Sequence, residues 1–152
     1  MNFREVSAQL LKSKKRMETA VKNLKDEIAM LEEAKVSVKT SACSGAPITG
    51  TGGNRFEDRL IKLIYLCDEL RQRKRIMQAR LYCLDRGMDP LTEYERDLLY
   101  GFYVDGGKGA ADRMMSRYHK ARSTIYRDKD KALEHFAEAL YGTGISASFE
   151  ET

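Results

Sequence analysis

The amino-acid sequence predicts an all-α protein in which two long helices are followed by several shorter ones. Apolar residues recur at every seventh position in two separate stretches, which is the spacing of long helices that pack side by side. Glycine and proline are concentrated in a few short segments that divide the chain. A capping signal made by Thr92 and Glu95 then introduces the shorter helical patterns.

The first predicted helix covers residues 1–36. Its apolar positions repeat with a period of seven, and a companion position joins them in the later heptads. These positions are Phe3, Leu10, Met17, Val21, Leu24, Ile28 and Leu31. Glutamate and lysine fill much of the rest, and neither glycine nor proline interrupts the stretch. The pattern is typical of a coiled-coil helix.

Residues 37–54 are predicted to be a flexible linker, because the composition changes abruptly to Ser, Thr, Gly and Pro. Asn54, three residues before Glu57, offers an N-cap for a second heptad helix over residues 55–88. The seam of that helix contains Phe56, Leu60, Leu63, Cys67, Leu70, Lys74, Met77, Leu81 and Leu84. The two helices can pair as an antiparallel hairpin within one chain or as a coiled coil between chains, and the period fits both.

A break near residue 89 precedes a module that is predicted over residues 90–142. Gly87 can take the left-handed C-cap conformation, and Pro90 stops the propagation of the second helix. The residues that follow the module, 143–152, are predicted to be a disordered tail.

Three helices are expected inside this module. The first covers residues 92–104, the loop "DGGKG" ends it, and a short helix follows over residues 109–118. A brief turn then leads into a longer helix that contains "STIYRDKDKAL". A short helix, a turn and a longer helix have the outline of a helix-turn-helix.

Composition argues against several classes of protein. No apolar run approaches the ~18 residues that span a bilayer, and no signal peptide is recognisable, so we expect a cytoplasmic protein with no membrane partner. Cys43, Cys67 and Cys83 lack metal-ligand spacing, and Cys67 is expected to fill the core. We find no catalytic constellation, so we predict that the chain is not an enzyme and needs neither a cofactor nor a metal.

The last helix has two chemically different sides. At 100° per residue its apolar side is formed by Ile125, Ala132, Phe136 and Leu140, whereas Ser123, Arg127 and Lys131 point away. Between residues 117 and 131 the sequence has six basic and two acidic residues, an excess of four, although the net charge of the whole chain is only +4.

A recognition helix in the major groove of double-stranded DNA has these properties. Its first turns send side chains to base edges, while neighbouring donors hold phosphate. We therefore predict base-edge contacts from Arg122, Ser123, Thr124 and Arg127, and phosphate contacts from Lys120 and Lys131. A solvated charged helix face is the alternative interpretation.

The stretches "LTEYERDLLYGFY" and "AADRMMSRYHKARSTIYRDKDKALEHF" resemble the C-terminal part of small phage and prophage regulators of the ArpU and RinA type. Met114, Met115 and Tyr118 stand at that family's "IA..L" positions. Residues 123–127 stand at its "STVYR", and residues 132–133 at its "AL". The heptad helices and their Ser/Thr/Gly linker also resemble a phage family that carries the same C-terminal module.

This resemblance implies a helix-turn-helix similar to region 4 of bacterial sigma factors. It also implies a sequence-specific regulator of phage late genes that acts in a bacterial host cell beside RNA polymerase. We expect a homodimer formed through the heptad helices. The chain departs from the family at the turn, where His119 replaces glycine and Ala121 replaces serine, and a changed turn angle would re-aim the recognition helix.

Two other functions stay open. A packaging protein like the terminase small subunit also joins a helix-turn-helix to an oligomerisation element, but the long helices come first in this chain. Such a protein would form a ring of many subunits. A protein-interaction module would use the heptad helices to hold a host protein, and it would not retain DNA at low salt.

Overall fold

The computed structural model describes residues 1–43 and 53–142, which form α-helices, one π-helical turn and no strand. The helices are α1 (Phe3–Cys43), α2 (Gly53–Met88), α3 (Glu93–Leu99), α4 (Ala110–Tyr118) and α5 (Arg122–Tyr141), and the π-helical turn is Tyr100–Val104. The prediction of an all-α protein is confirmed. None of the helices in these ranges is both long enough and apolar enough to cross a membrane.

Both long helices extend into the predicted linker of residues 37–54. α1 continues to Cys43 and α2 begins at Gly53, so the expected helix end at residue 36 and the expected N-cap at Asn54 are wrong. Serine and threonine weaken a helix without breaking it, and here the Thr40 hydroxyl donates a hydrogen bond to the Val36 carbonyl at 2.9 Å. Residues 44–52 and the predicted tail of residues 143–152 lie outside the described ranges.

The chain divides into two compact units. Unit 1 combines Met1–Met17 with Ala79–Thr152, and unit 2 is Glu18–Gln78. The module predicted over residues 90–142 therefore belongs to a larger unit, which also includes the first turns of α1 and the last turns of α2.

Unit 2 is built from parts of α1 and α2. Its buried apolar side chains are Ile28, Val38 and Cys67, and Cys67 is fully buried, as predicted. Glu32 of α1 forms an ion pair with Arg71 of α2 and another with Lys35 at 3.1 Å. The hydrogen bond from Lys35 is the main cause that lowers the pKa of the Glu32 carboxyl, and the charge of Arg71 adds to it.

The core of unit 1 surrounds α5, with α3 and α4 packed against it. Its fully buried side chains come from four helices: Leu11 of α1, Leu84 of α2, Leu98 and Leu99 of α3, and Ile125 and Phe136 of α5. Ala132 is also fully buried, whereas Leu140 is partly exposed. The predicted apolar side of the last helix is therefore inside, except near its C-terminal end.

The first turns of α1 bury a side that the heptad period does not predict. Ser7 and Leu11 are fully buried, whereas Phe3 and Leu10 are only partly buried. This side of α1 lies against the C-terminal helices, as two ion pairs show: Arg4 with Asp130 at 2.5 Å, and Lys15 with Asp105 at 2.6 Å. In this part of α1, contacts with distant segments decide which side chains are buried, and the heptad period does not.

The capping signal at the start of α3 is confirmed, since the Glu95 N–H donates to Thr92 Oγ1 at 3.2 Å. After Leu99 the helix continues as the π-helical turn. Its defining hydrogen bond runs from the Asp105 N–H to the Tyr100 carbonyl, five residues earlier, with an N–O distance of 2.8 Å. Gly107 then takes a φ of 78°, and its N–H donates to the Gly101 carbonyl at 3.1 Å. The segment "GGKG" is a loop, as predicted.

Gly87 lies inside α2, so its predicted role as a left-handed C-cap is wrong. A Cβ at this position would lie 2.9 Å from Phe136 Cε2 and 2.8 Å from Leu140 Cδ2. Glycine is therefore needed here for the close approach of α2 to α5, and not for its backbone freedom.

Replacing Gly87 with Ala should destabilise the protein by about 1 kcal/mol or more, although alanine favours helices. The new methyl group would meet the fully buried ring of Phe136, which has little room to move. Chemical denaturation measures the effect. Gly101→Ala is the matched control, because a Cβ there meets only Ala110 Cβ at 3.6 Å. A Gly87→Ala protein as stable as the original would contradict the close approach.

Candidate nucleic-acid interface

A turn of three residues, His119, Lys120 and Ala121, joins α4 to α5. His119 ends α4 in the left-handed conformation, with φ 52° and ψ 45°, and Ala121 begins α5 in an extended conformation. The left-handed region is the one that glycine adopts without steric cost. His119 therefore keeps the backbone conformation that favours glycine, and it does so under strain.

The outer side of α5 carries Ser123, Arg127 and Lys131, which lie one helical turn apart and are all exposed. Thr124 beside them is partly buried, and Ile125 anchors the same turn in the core. In the described part of the chain, Arg127 and Lys131 form no ion pair. We call Ser123, Arg127 and Lys131 the outer row; its two cations are available to an external partner.

The N-terminal turn of α5 also favours an anion. Its N-cap, Ala121, makes no side-chain hydrogen bond, and its carbonyl accepts from the Ile125 N–H at 3.0 Å. The N–H groups of residues 122–124 have no acceptor within the helix, because they belong to its first turn. Free N–H groups and the helix dipole together attract phosphate or another negative group.

Lys120 and Arg122, the other two predicted cations, have partners inside unit 1. Lys120 Nζ lies 3.4 Å from Asp128 Oδ2 and 4.0 Å from the centroid of the Tyr94 ring. Arg122 Nη1 lies 3.4 Å from Asp112 Oδ1, and both of these side chains are largely exposed. The Arg122 pair is weak enough to exchange for phosphate. Lys120, which has both a carboxylate and a ring as partners, contributes to the turn itself.

Two tyrosine–aspartate pairs connect α3 with α4 and α5. The Tyr94 hydroxyl donates to Asp128 at 2.8 Å, and the Tyr118 hydroxyl donates to Asp97. The two rings meet edge to face with centroids 4.7 Å apart. Burial, followed by the hydrogen bond to Asp128, raises the pKa of Tyr94; the hydrogen bond to Asp97 raises the pKa of Tyr118. Both hydroxyls thus stay protonated and donating at neutral pH.

Lys129 is directed towards aromatic rings and not along the outer row. Its Nζ lies 5.3 Å from the Phe102 ring centroid and 5.2 Å from that of Tyr126, and only 19% of its side chain is exposed. Tyr126 in turn packs on Phe102, with ring centroids 5.5 Å apart. The count of six basic residues in the sequence therefore overstates the charge that the outer row presents.

The acidic residue next to Lys131 is already neutralised within unit 1. Asp130 forms an ion pair with Arg4 of α1, with 2.5 Å between Arg4 Nη2 and Asp130 Oδ1. Since Asp130 would otherwise repel phosphate close to Lys131, the start of α1 improves the electrostatics of this surface. Sequence reasoning missed Arg4, because 126 positions separate it from its partner.

Within residues 1–43 and 53–142, no group of three or more His, Cys, Asp or Glu residues is placed to hold a metal ion. Comparisons of the chain with protein-family models, curated proteins and solved structures found no match. The resemblance to phage regulators therefore stays a prediction from sequence motifs.

Replacing His119 with Gly should stabilise the protein by about 0.5 to 1 kcal/mol, because it removes the left-handed strain and loses only part of that gain to backbone entropy. Thermal unfolding measures the difference. His119→Ala is the control: it keeps a Cβ in the same conformation and should not stabilise. If alanine stabilised as much as glycine, the imidazole and not the backbone would be the source of the strain.

Proposed function

We propose that unit 1 binds double-stranded DNA and that α4, the turn and α5 act as a helix-turn-helix. In this proposal α5 is the recognition helix and enters the major groove by its N-terminal end. The observation that carries the proposal is the outer row: Ser123, Arg127 and Lys131 are exposed on a helix whose opposite side is buried.

The proposed contacts follow from the positions of the side chains. Arg127 suits a bidentate contact to guanine, and Ser123 and Thr124 are short enough for base edges near the helix start. Arg122 gives up its exposed pair with Asp112 and adds a further contact. Lys131 and the free N–H groups of the first turn hold phosphate. Lys120 mainly holds the turn.

The best supported function is that of a sequence-specific transcriptional regulator of phage type, a binding protein and not an enzyme. The motif resemblance supports the regulatory role, with RNA polymerase as a further partner in the bacterial cytoplasm. We also propose that α1 and α2 pair within one chain as an antiparallel hairpin. The ion pair between Glu32 and Arg71 supports this pairing, as does the short interval of residues 44–52 between the helices.

Arg127→Ala should weaken binding to the preferred DNA site by about 1 to 3 kcal/mol and relax the preference at one base pair. Fragments selected from the source genome supply the site, and fluorescence anisotropy measures the affinity. Arg59→Ala is the matched control, since Arg59 is an exposed arginine on α2, outside unit 1. Unchanged affinity and unchanged preference in the Arg127 variant would remove that residue from the interface.

Lys131→Ala and Lys120→Ala should have different effects. The first should reduce the slope of log affinity against log salt by about 1 and leave thermal stability unchanged. The second should lower thermal stability, because Asp128 and the Tyr94 ring lose a partner. If the original protein retains no random duplex even at ~50 mM salt, DNA binding is wrong and a protein-interaction module becomes the better proposal.

A further inference from the structure

α2 has a second apolar face, distinct from the side that is buried within unit 2. The buried side includes Cys67, with Leu60 and Leu63 partly buried beside it. The second face consists of four side chains that are exposed to different extents: Ile61 50%, Ile64 40%, Tyr65 74% and Ile76 45%. At 100° per residue these four lie within an arc of about 120°, which also contains Asp68, Gln72 and Arg75; we call this side of the helix the outer face of α2.

Charge is distributed unevenly along this helix. Residues 53–70 carry four acidic and three basic residues, whereas residues 71–78 carry four basic residues and no acidic one. On the outer face itself, Asp68 lies in the first half and Arg75 in the second, and both are exposed. A face that is acidic before its centre and basic after it is complementary to a second copy of itself, provided that the two helices run in opposite directions.

We propose that two copies of this chain dimerise through the outer face of α2, packed antiparallel about a two-fold axis level with Leu70. Tyr65 and Ile76 share one edge of the outer face and lie five and six residues on either side of Leu70, so each Tyr65 packs beside Ile76 of the second copy. Asp68 and Arg75 share the other edge, where the Asp68 carboxylate of one copy comes within about one helical turn of the Arg75 guanidinium group of the other. Asp68 lies level with Gln72, whose amide can donate to the carboxylate.

This register leaves no apolar residue of the outer face opposite a lone charge. Tyr65 meets Ile76, Ile64 packs on the aliphatic stem of Arg75, and the Asp68 carboxylate meets the Gln72 amide, with the Arg75 guanidinium group one turn away. The dimer uses positions outside the heptad seam, so the seam stays available for pairing within one chain. The proposal does not depend on DNA binding.

Sedimentation velocity on the full chain tests the dimer directly. We expect a dimer that dissociates on dilution, and Ile76→Asp should weaken association at least about tenfold, because a charge would replace the apolar contact with Tyr65 of the second copy. A matched pair of charge reversals gives a sharper test. Arg75→Glu and Asp68→Arg should each impair self-association, since like charges would then meet, whereas an equimolar mixture should restore it. Circular dichroism checks that each variant is folded.

Disulfide trapping tests the register. In a background with Cys43→Ser and Cys83→Ser, Tyr65→Cys and Ile76→Cys should be crosslinked when the two variants are mixed, and neither should be crosslinked alone. In the proposed register the two copies of position 65 are about 15 Å apart along the helix axis, which is far beyond the reach of a disulfide bond.

A monomer at every concentration would overturn the proposal, as would unrestored association in the charge-reversed mixture. A disulfide formed within one cysteine variant alone would overturn the antiparallel register. Arg127→Ala should dimerise like the original protein, so a failure of the dimer and a failure of DNA binding can be told apart.

Discussion

Phe136 of α5 packs against α2 at Gly87, where no side chain keeps the two helices apart. Fully burying a phenylalanine side chain stabilises a fold by about 1.5 to 3 kcal/mol, and Ile125 and Leu133 on the same side are also buried. An α-helix has 3.6 residues per turn, so a helix anchored at positions 125, 132 and 136 must direct positions 123, 127 and 131 outward. The exposure of the outer row is thus a consequence of how α5 is anchored.

The proposed DNA-binding surface also depends on the start of α1. Leu11 contributes a fully buried side chain to unit 1, and Arg4 neutralises Asp130 on α5. The segment from α4 to α5 alone would lack both the apolar cover and the cation. The first turns of α1 are therefore part of the folding unit that presents α5, and not only part of a heptad helix.

Patterns in short stretches of the sequence predicted the features that neighbouring residues determine. The Thr92 cap, the loop of glycines after Val104 and the apolar side of α5 follow from residues that are close in sequence. The prediction for Gly87 is wrong, because a glycine near a helix end suggests a cap, whereas here it allows the close approach of Phe136. Ser7 is fully buried although it is polar and lies off the predicted heptad seam, so no local pattern predicts its burial. The sequence predicted the exposed residues of the outer row, but it did not predict the ion pairs around them, such as Arg4 with Asp130 and Lys120 with Asp128.

The ion pairs and ring contacts around α5 leave fewer positive charges for an external partner than the sequence alone indicates. Lys120 is held by Asp128 and the Tyr94 ring, Lys129 by aromatic rings, and Arg117 lies 3.3 Å from Asp97. Of the six basic residues between positions 117 and 131, all within the described part of the chain, Arg122, Arg127 and Lys131 remain for phosphate or bases. Since each neutralised phosphate contributes about −0.9 to the salt slope, three cations support only modest affinity for one copy. Two copies joined through α2 would double the number of cations, so dimerisation would supply the affinity that a single outer row lacks.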